Sequence, residues 1–425
     1  MKNTKKIFAL SMGVLLLTTA CSSGTGSTDD TSEGSTDTTS SDEQVKLTYA
    51  LWDAKQAPIY EELIKQFEAE NPNVTVEMQI TSWKDYWTKL ETSINGGNTP
   101  DIFWLNIPRS KEYIVNDIIL PLDDLGLDLS KYPATHVDAY TYEGQIFGIP
   151  KDYDTIAMIY NKTLFEENGV PLPTDDWTWE DVRSAAEAIS DPEAGVYGIV
   201  APPEWQGGYY ETIIQNGSYP FTEDGMSQFN DPAVVEAMEY WYSFAADGLS
   251  PSGADLSVTG GAEYVNSGRA GMFPDGSWSM TTFFEQSEYG KENLDVALLP
   301  SGTQNGTTSN SIAHVVGSSC EHPDVAKALV AFLSSKESND FVGESGVTIP
   351  AYEGSDAKIA EAYPDKNIAA FLDSVDFAVH LPNFENFSEA QAVEVEYLTK
   401  AWNGEMTIKE ACALIEEKSN EILAK

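Results

Sequence analysis

The order of the strand-like and helix-like segments near the start of the folded region constrains the fold more than any other feature of the sequence. An apolar run at 47–52, an alternating apolar pattern at 74–80 and a short apolar run at 101–105 each predict a strand. Between these segments, apolar residues recur at helical spacing and predict two helices. Strands separated by helices need crossover connections, so this order predicts an α/β fold built on a mostly parallel sheet.

The same kinds of segment return along the rest of the chain. An apolar run at 155–160 predicts another strand, and three further helices are predicted to begin near Thr178, Pro323 and Thr407. The chain has 425 residues, which is too long for one ordinary hydrophobic core, so we expect two lobes.

The start of the chain differs in composition from the rest and predicts export. Lysines precede an apolar run at 7–17, which is too short to span a bilayer and resembles the middle of a secretory signal. Cys21 then follows small residues, as in a bacterial lipoprotein signal, which implies removal of residues 1–20 and diacylglycerol on the cysteine sulfur. Residues 21–44 are rich in Ser, Thr, Gly and acidic residues and predict a disordered tether. An ordinary secretory signal with an incidental cysteine is the alternative interpretation.

The formal net charge of −44 limits which classes of partner the chain is expected to bind. Nucleic acids and anionic membrane surfaces are bound by basic protein faces, so no nucleic acid is expected as a partner. The same charge makes an anionic small molecule a poor candidate ligand, although a local arginine could override this.

Sequence signatures of catalysis and metal binding are not found. There is no glycine-rich nucleotide loop or nucleophile elbow, and the four histidines lack the spacing of a zinc motif, so no cofactor and no metal are expected. A glycosidase pair cannot be chosen among 68 acidic residues. Cys320 and Cys412 could form a disulfide, but the apolar helical face around Cys412 favours a role as a small core residue.

Several aromatic residues stand beside polar residues in turn-like segments, at 52–53, 104–106, 205–210, 275–278 and 383–387. The flat face of an aromatic ring suits the C–H face of a sugar, and adjacent carboxylates and amides suit its hydroxyls. A purely apolar pocket would leave those hydroxyls unpaired, so a neutral sugar needs this mixed surface. Each aromatic taken singly fits core packing better, but together they favour a carbohydrate-binding site.

Four stretches together resemble the maltose-binding-protein-like, or family 1, extracellular solute-binding proteins of ABC sugar importers. They are Trp83–Asn106 with its Pro100-Asp101-Ile102-Phe103-Trp104 motif, Gly148-Ile149-Pro150 through Tyr160-Asn161-Lys162, Trp177-Thr178-Trp179, and Gly268–Phe273 leading into Asp275-Gly276-Ser277-Trp278. The resemblance covers the chain after residue 44 and implies a two-lobed periplasmic-binding-protein-like α/β fold of type II. A hinge would join the lobes, and the ligand would lie in the cleft between them.

The solute-binding domain is expected at 45–425. Its two lobes are expected at 45–152 with 303–352, and at 153–302 with 353–425. Proline and glycine at the junctions suggest chain crossings between the lobes at Gly148–Tyr153, Pro300–Gly306 and Pro350–Gly354.

The resemblance also implies roles for particular residues. Asp154 lies where the family has a sugar-binding acid, and Trp278 lies where it has a stacking aromatic. Trp104 and Asn106 are expected to face the cleft after the third strand, Trp52 and Asp53 to make the first-lobe contact, Trp205 and Tyr209 to supply a further aromatic, and Phe384 or Phe387 to supply the last one.

The sequence therefore predicts a monomeric receptor, held by lipid on the extracytoplasmic face of a cell membrane. It would bind a small-molecule carbohydrate, in particular an oligosaccharide, and deliver it to the transmembrane subunits of an ABC permease. The chain is not predicted to be an enzyme. Two alternatives stay open, namely a binding protein for a non-sugar solute and a secreted carbohydrate-active enzyme.

Overall fold

The computed structural model describes residues 44–425. The predicted signal peptide, Cys21 and the predicted tether up to residue 43 lie outside the described residues. In the part of the chain that is described, no helix is long and apolar enough to cross a membrane. The described residues form one compact unit.

Strands and helices alternate along the described residues. The strands are β1 Val45–Leu51, β2 Val74–Ile80, β3 Ile102–Asn106, β4 Thr141–Tyr142, β5 Gln145–Ile146, β6 Ile149–Asn161, β7 Tyr197–Ile199, β8 Ala270–Gly276, β9 Leu294–Ala297, β10 Thr307–Val316, β11 Ile349–Pro350 and β12 Ala378–His380. The helices are α1 Ala57–Glu70, α2 Trp83–Asn95, α3 Ile107–Val115, α4 Ala134–Ala139, α5 Lys162–Glu167, α6 Trp179–Ile189, α7 Tyr210–Gln215, α8 Pro232–Ala246, α9 Gly253–Thr259, α10 Gly261–Asn266, α11 Met280–Phe284, α12 Glu288–Asn293, α13 Pro323–Leu333, α14 Lys336–Glu344, α15 Lys358–Ala362, α16 Ala369–Asp373, α17 Phe387–Trp402 and α18 Ile408–Leu423.

The predicted alternation at the start of the folded region is confirmed. β1 pairs in parallel with both β2 and β3, and α1 and α2 supply the crossovers. Every residue of β3 is buried, because helices cover both faces of a parallel sheet of this kind. Side chains on either face of β3 are therefore core residues unless the strand end opens onto a cleft.

The prediction of a mostly parallel sheet is wrong beyond these first strands. The main sheet has the strand order β2-β1-β3-β10-β6-β8-β7. β10 is antiparallel to both β3 and β6, and β6 is antiparallel to β8. A helical crossover makes two strands parallel only when it joins them directly along the chain. β10 comes from a distant part of the chain, so no such crossover sets its direction relative to β3 and β6.

The long strand β6 changes its partners halfway along. Its residues up to Thr155 pair with β10, and from Ile156 onward they pair with β8. All 13 residues of β6 are buried, so this strand is held rigidly on both sides of the change. The change lies two residues beyond the predicted crossing at Gly148–Tyr153.

Two large apolar clusters flank this point. One contains residues of β1–β3, α1 and α13, and the other contains residues of α6, α8, α17 and α18. Cys412 is fully buried in the second cluster, which confirms its predicted place in the core, and both described cysteines are free thiols.

The predicted helix starts are also confirmed. Thr178 and Thr407 each cap a helix in a reciprocal capping box, with Asp181 and Glu410 as the partners. Pro323 opens α13, where its missing N–H costs nothing.

Candidate functional site

Asp154 lies on β6 beside the point where that strand changes partners. Its side chain is 8% exposed. The carboxylate oxygen Oδ1 accepts hydrogen bonds from the Gln206 side-chain amide at 2.7 Å and from the Asn310 backbone N–H at 3.1 Å. Residues from two other segments therefore converge on this carboxylate.

The electrostatic setting of Asp154 disfavours its charged form. Burial raises the pKa of Asp154 well above the usual range, and the neighbouring Asp152 adds to the rise. The two donors on Oδ1 act in the opposite direction. Such a carboxyl group gains from a further hydrogen bond at Oδ2, and a ligand hydroxyl could make it.

Asn310 pairs with Asp154 across β10 and β6, and the buried amide of Asn106 lies on β3, on the other side of β10. Asn310 is 5% exposed and accepts a hydrogen bond from the Ile107 N–H at 3.3 Å, at the start of α3. Asn106 ends β3, is 3% exposed, and its Oδ1 has no hydrogen-bond partner among the described residues. An unpaired buried amide oxygen is costly, and a bound donor would relieve that cost.

The turn Trp205–Tyr209 carries Gln206 to Asp154. The turn is irregular, and Gly207 has a φ of +75°, which a residue with a side chain rarely adopts. A Cβ on Gly207 would also lie 3.3 Å from the carbonyl oxygen of Pro274. The glycine therefore lets this turn pack against the end of β8.

Trp278 lies just after β8 and is half-buried. Its ring covers Gly276 so closely that a Cβ there would lie 2.0 Å from the ring atom Cζ3. Gly276 pairs with Ile156, two residues from Asp154. Burial raises the pKa of the adjacent Asp275 to about 7. The Gly-Ser-Trp segment thus lies close along the sheet to Asp154.

Four other predicted aromatics form a single group of rings. Phe387 contacts both Trp205, at a centroid distance of 5.7 Å, and Phe384, at 5.4 Å. Trp205 and Phe384 are half-buried, so each keeps some surface that a ligand can reach. Tyr209 and Phe387 are each 1% exposed.

Tyr209 and Phe387 do not present a surface to a ligand in this structure. The Tyr209 hydroxyl donates to the buried Glu394 at 2.9 Å, and Phe387 begins α17 inside an apolar cluster. The prediction that these two side chains contact the ligand is therefore corrected. Both are enclosed by their neighbours and belong to the apolar cluster against which the half-buried rings of Trp205 and Phe384 pack.

Trp52 directly follows β1 and lies at the centre of a second group of rings. It contacts Trp83, Trp87 and Trp104 at centroid distances of 5.1, 5.7 and 5.2 Å. Trp52 is half-buried, and Trp83 is 47% exposed. Trp83 was not predicted as a site residue, although its exposure beside Trp52 makes it a candidate.

Trp104 was expected to face the cleft, and this is wrong for the present structure. Its side chain is fully buried, and its indole N–H donates to the Tyr49 hydroxyl at 2.6 Å. The ammonium of Lys151 lies 3.9 Å from the ring centroid. The ring is enclosed because β3 is a central strand with both faces covered.

A chain of polar contacts runs from Asp53 into β6. Asp53 accepts from the side chain of Gln56 at 3.2 Å, and Gln56 accepts from Lys151 at 3.0 Å. Lys151 also forms a buried ion pair with Asp152. Burial lowers the pKa of Lys151, while the Asp152 carboxylate opposes that effect.

Next to Asp53, the Lys55 ammonium donates to the Thr282 hydroxyl at 2.7 Å. Thr282 lies on α11, shortly after Trp278. This hydrogen bond joins the loop after β1 to the segment that carries the predicted stacking aromatic.

Most of the predicted site residues thus fall into three sets. Hydrogen bonds join Asp154 to Gln206 and Asn310, one group of rings surrounds Trp52, and another contains Trp205 and Phe384. Gln206 and Asn310 were missed as site residues. Asn310 could have been found from the run of polar residues at 307–311, because a buried strand with that composition needs partners inside the protein.

Two further findings concern other kinds of site. Across the described residues, no group of three or more His, Cys, Asp or Glu side chains could hold a metal ion. A groove of about 550 Å³ between α6 and residues 168–177 contains none of the predicted site residues.

Comparison with known proteins identifies the family. Residues 53–340 match the family model for bacterial extracellular solute-binding proteins. A protein of Brucella abortus described as a binding protein is 25% identical over 398 residues, which cover 90% of this chain and 94% of the relative. The arabinooligosaccharide-binding protein of Bacillus subtilis is 23% identical over 310 residues, which cover 69% of this chain and 70% of the relative.

A solved structure is similar over nearly the whole described chain. It is an ABC substrate-binding protein of Listeria monocytogenes in complex with cycloalternan, with a TM-score of 0.85 and 27% identity. The match covers 90% of this chain and all of the Listeria protein chain. The predicted two-lobed α/β fold is confirmed by this similarity.

Proposed function

Because this chain belongs to the family of bacterial extracellular solute-binding proteins, we propose that it binds a carbohydrate outside the cytoplasm and delivers it to an ABC importer. The family consists of binding proteins, and the chain is assigned as a receptor that releases its ligand unchanged. An oligosaccharide is the favoured ligand, in keeping with the oligosaccharide named for the Bacillus subtilis relative.

The observation that carries this proposal is the convergence of Gln206 and Asn310 on Asp154, close along the sheet to half-buried Trp278. Sugar hydroxyls need buried donors and acceptors, and the C–H face of a sugar ring needs a flat apolar surface. Trp205, Trp52, Asp53 and Phe384 would extend the contact surface, and the unpaired oxygen of Asn106 would accept from a ligand hydroxyl.

We assign the two lobes as 45–152 with 303–352 and 153–302 with 353–425. The change of partners within β6 supports a boundary close to residue 155. Ligand binding would draw the lobes together, since a ligand shifts such an equilibrium only by contacting the closed state more favourably.

Attachment to the membrane through diacylglycerol on Cys21 completes the proposal. The receptor would act as a monomer beside the transmembrane subunits of its permease. The tether 21–44 would let the folded domain turn freely, since a flexible chain of that length has an r.m.s. span of roughly 25–30 Å.

A thermal-shift screen against a panel of oligosaccharides tests the function directly. A ligand at 100 times its dissociation constant stabilises the folded protein by about 2.7 kcal/mol, which gives a clear rise in melting temperature. The same labelled sugars, recovered after incubation, should be intact. Cleaved products would favour a carbohydrate-active enzyme, and a panel without a single stabilising sugar would favour a non-sugar solute.

A further inference from the structure

Glu211 is a buried carboxylate that faces backbone amides instead of a ligand. It lies on α7, directly after the turn Trp205–Tyr209, and is 2% exposed. Its oxygen Oε1 accepts from the Gly207 N–H at 3.0 Å and from the Thr308 hydroxyl at 2.7 Å. Its oxygen Oε2 accepts from the Thr308 N–H at 2.6 Å.

A carboxylate in this position is costly unless its oxygens are occupied. Burial raises the pKa of Glu211 to about 7, and the hydrogen bonds from Thr308 and Gly207 lower it. Three donors converge on the group, so an acceptor is required at both oxygens. A neutral or shorter side chain would leave at least one buried N–H or O–H group unpaired.

The partners of Glu211 adjoin both donors of Asp154. Gly207 follows Gln206, whose side-chain amide donates to Asp154 Oδ1. Thr308 lies two residues before Asn310 on β10, and the Asn310 N–H donates to the same oxygen. Glu211 therefore ties the turn to β10 at the two places from which Asp154 is held.

We propose that Glu211 is a positioning residue of the binding site, which fixes the turn Trp205–Tyr209 against β10 and so sets how Asp154 meets a carbohydrate. This inference rests on the proposed function. Glu211 itself does not touch the ligand and acts through Gln206 and Asp154.

The test uses Glu211→Gln, because the amide keeps the shape of the side chain but replaces one acceptor oxygen with an NH₂ group. Binding of the sugar found in the thermal-shift screen should weaken by about tenfold or more, the effect expected when a charge-assisted hydrogen bond is lost. In ligand-free protein, backbone hydrogen exchange in a peptide covering 205–209 should become faster relative to α6.

Asp101→Asn is the matched control. Asp101 also accepts from a backbone N–H and a hydroxyl, both of Thr48 and both at 2.8 Å, but these contacts join the start of β3 to β1 and do not involve the turn Trp205–Tyr209. Hydrogen exchange at 205–209 and sugar affinity should therefore stay close to wild type. If Glu211→Gln does not fold, Thr308→Val removes only the hydroxyl donor and should shift both measurements in the same direction by less.

The outcomes separate the two proposals. Wild-type affinity in Glu211→Gln, wild-type exchange at 205–209, or equal acceleration in both variants would each overturn the positioning role while leaving the receptor function intact. Weaker binding together with faster local exchange supports it. If the wild-type protein binds no carbohydrate, the proposed function fails. The claim that Glu211 fixes the turn Trp205–Tyr209 against β10 is still tested by hydrogen exchange, and unchanged exchange in Glu211→Gln would overturn it.

Discussion

Trp104 and Trp278 carry the same side chain in opposite surroundings. Trp104 is fully buried and hydrogen-bonded to Tyr49, whereas Trp278 lies half-buried over Gly276. Burial, and not residue type, decides which of the two rings can meet a ligand. The two residues are therefore expected to respond differently to the same substitution.

Trp278→Ala should weaken sugar binding well beyond tenfold and leave the fold intact, because stacking on an exposed aromatic face contributes to the complex and little to the core. Trp104→Ala should lower the free energy of unfolding by about 3–5 kcal/mol, as expected for a large side chain removed from a core. Calorimetric titration and chemical denaturation measure the two effects. Unchanged affinity in Trp278→Ala would move that ring out of the site.

Asp154→Asn replaces only one of the two acceptor oxygens of this side chain. The amide oxygen can keep the hydrogen bonds from Gln206 and Asn310, while the NH₂ group replaces the oxygen that would receive a ligand hydroxyl. Affinity should fall roughly tenfold, since a hydrogen bond to a carboxyl group whose charged form is disfavoured contributes roughly 0.5–1.5 kcal/mol. Asp224→Asn, at an exposed carboxylate, is the control. A loss confined to ligand-free thermal stability would assign Asp154 a structural role.

At the scale of secondary-structure elements, buried carboxylates join helices to their neighbours. Glu394 on α17 receives hydroxyl groups from Tyr209 and from Tyr210 on α7. Glu211 joins α7 to β10. Burial raises the pKa of both carboxyls, to about 8 and about 7, so these junctions titrate near neutral pH.

The stability of the α7–α17 junction should depend on pH. The pKa of Glu394 is raised on folding, so its contribution is present below the unfolded pKa near 4.5 and is lost as the pH rises through about 8. The free energy of unfolding should therefore decline between pH 4.5 and 8.5 less steeply in Glu394→Gln than in the wild type. Denaturation series at several pH values measure this, and parallel profiles for the two proteins would contradict it.

At the scale of the whole molecule, β6 is the strand that crosses the proposed lobe boundary. The hydrogen bond from Lys55 to Thr282 also spans the proposed lobe boundary, at 2.7 Å. A contact of this kind can form only when the two segments are close. It is therefore expected to favour the closed arrangement over an open one.

Small-angle scattering should show a smaller radius of gyration when the sugar is bound. Lys55→Ala should raise the dissociation constant roughly two- to tenfold, the effect of one hydrogen bond. Lys46→Ala is the matched control, because Lys46 pairs with Glu77 within the proposed first lobe. An unchanged radius at saturating ligand would indicate a rigid pocket and would reopen the enzyme interpretation.

Membrane attachment should depend on Cys21. Two acyl chains give stable anchoring, whereas one gives only marginal binding, so diacylglycerol on the sulfur should hold the protein in the membrane fraction. Cys21→Ser should leave unprocessed precursor or protein released into the medium. Membrane fractionation and mass spectrometry of the variant measure both outcomes. Normal removal of the signal together with membrane retention would rule out the lipoprotein interpretation.

Local patterns in the sequence were sufficient for several of the elements and for three helix starts. The spacing of hydrophobic residues predicted the order β1–α1–β2–α2–β3. Threonines followed three residues later by an acidic residue predicted the helix caps at Thr178 and Thr407. The motif resemblance led to the correct family and fold. These features depend on residues a few positions apart, or on a combination of motifs along the chain, so a single sequence contains them.

The tertiary structure decided which of the predicted residues face a ligand and which pack inside. Trp104, Tyr209 and Phe387 are enclosed by residues far away in the sequence, and Gln206 and Asn310 reach Asp154 across 52 and 156 positions. The antiparallel placement of β10 was likewise invisible to a local pattern. Burial and hydrogen bonding between distant segments depend on how the strands are arranged in the sheet. Hydrophobic periodicity and secondary-structure propensity describe one segment at a time, so they carry no information about that arrangement.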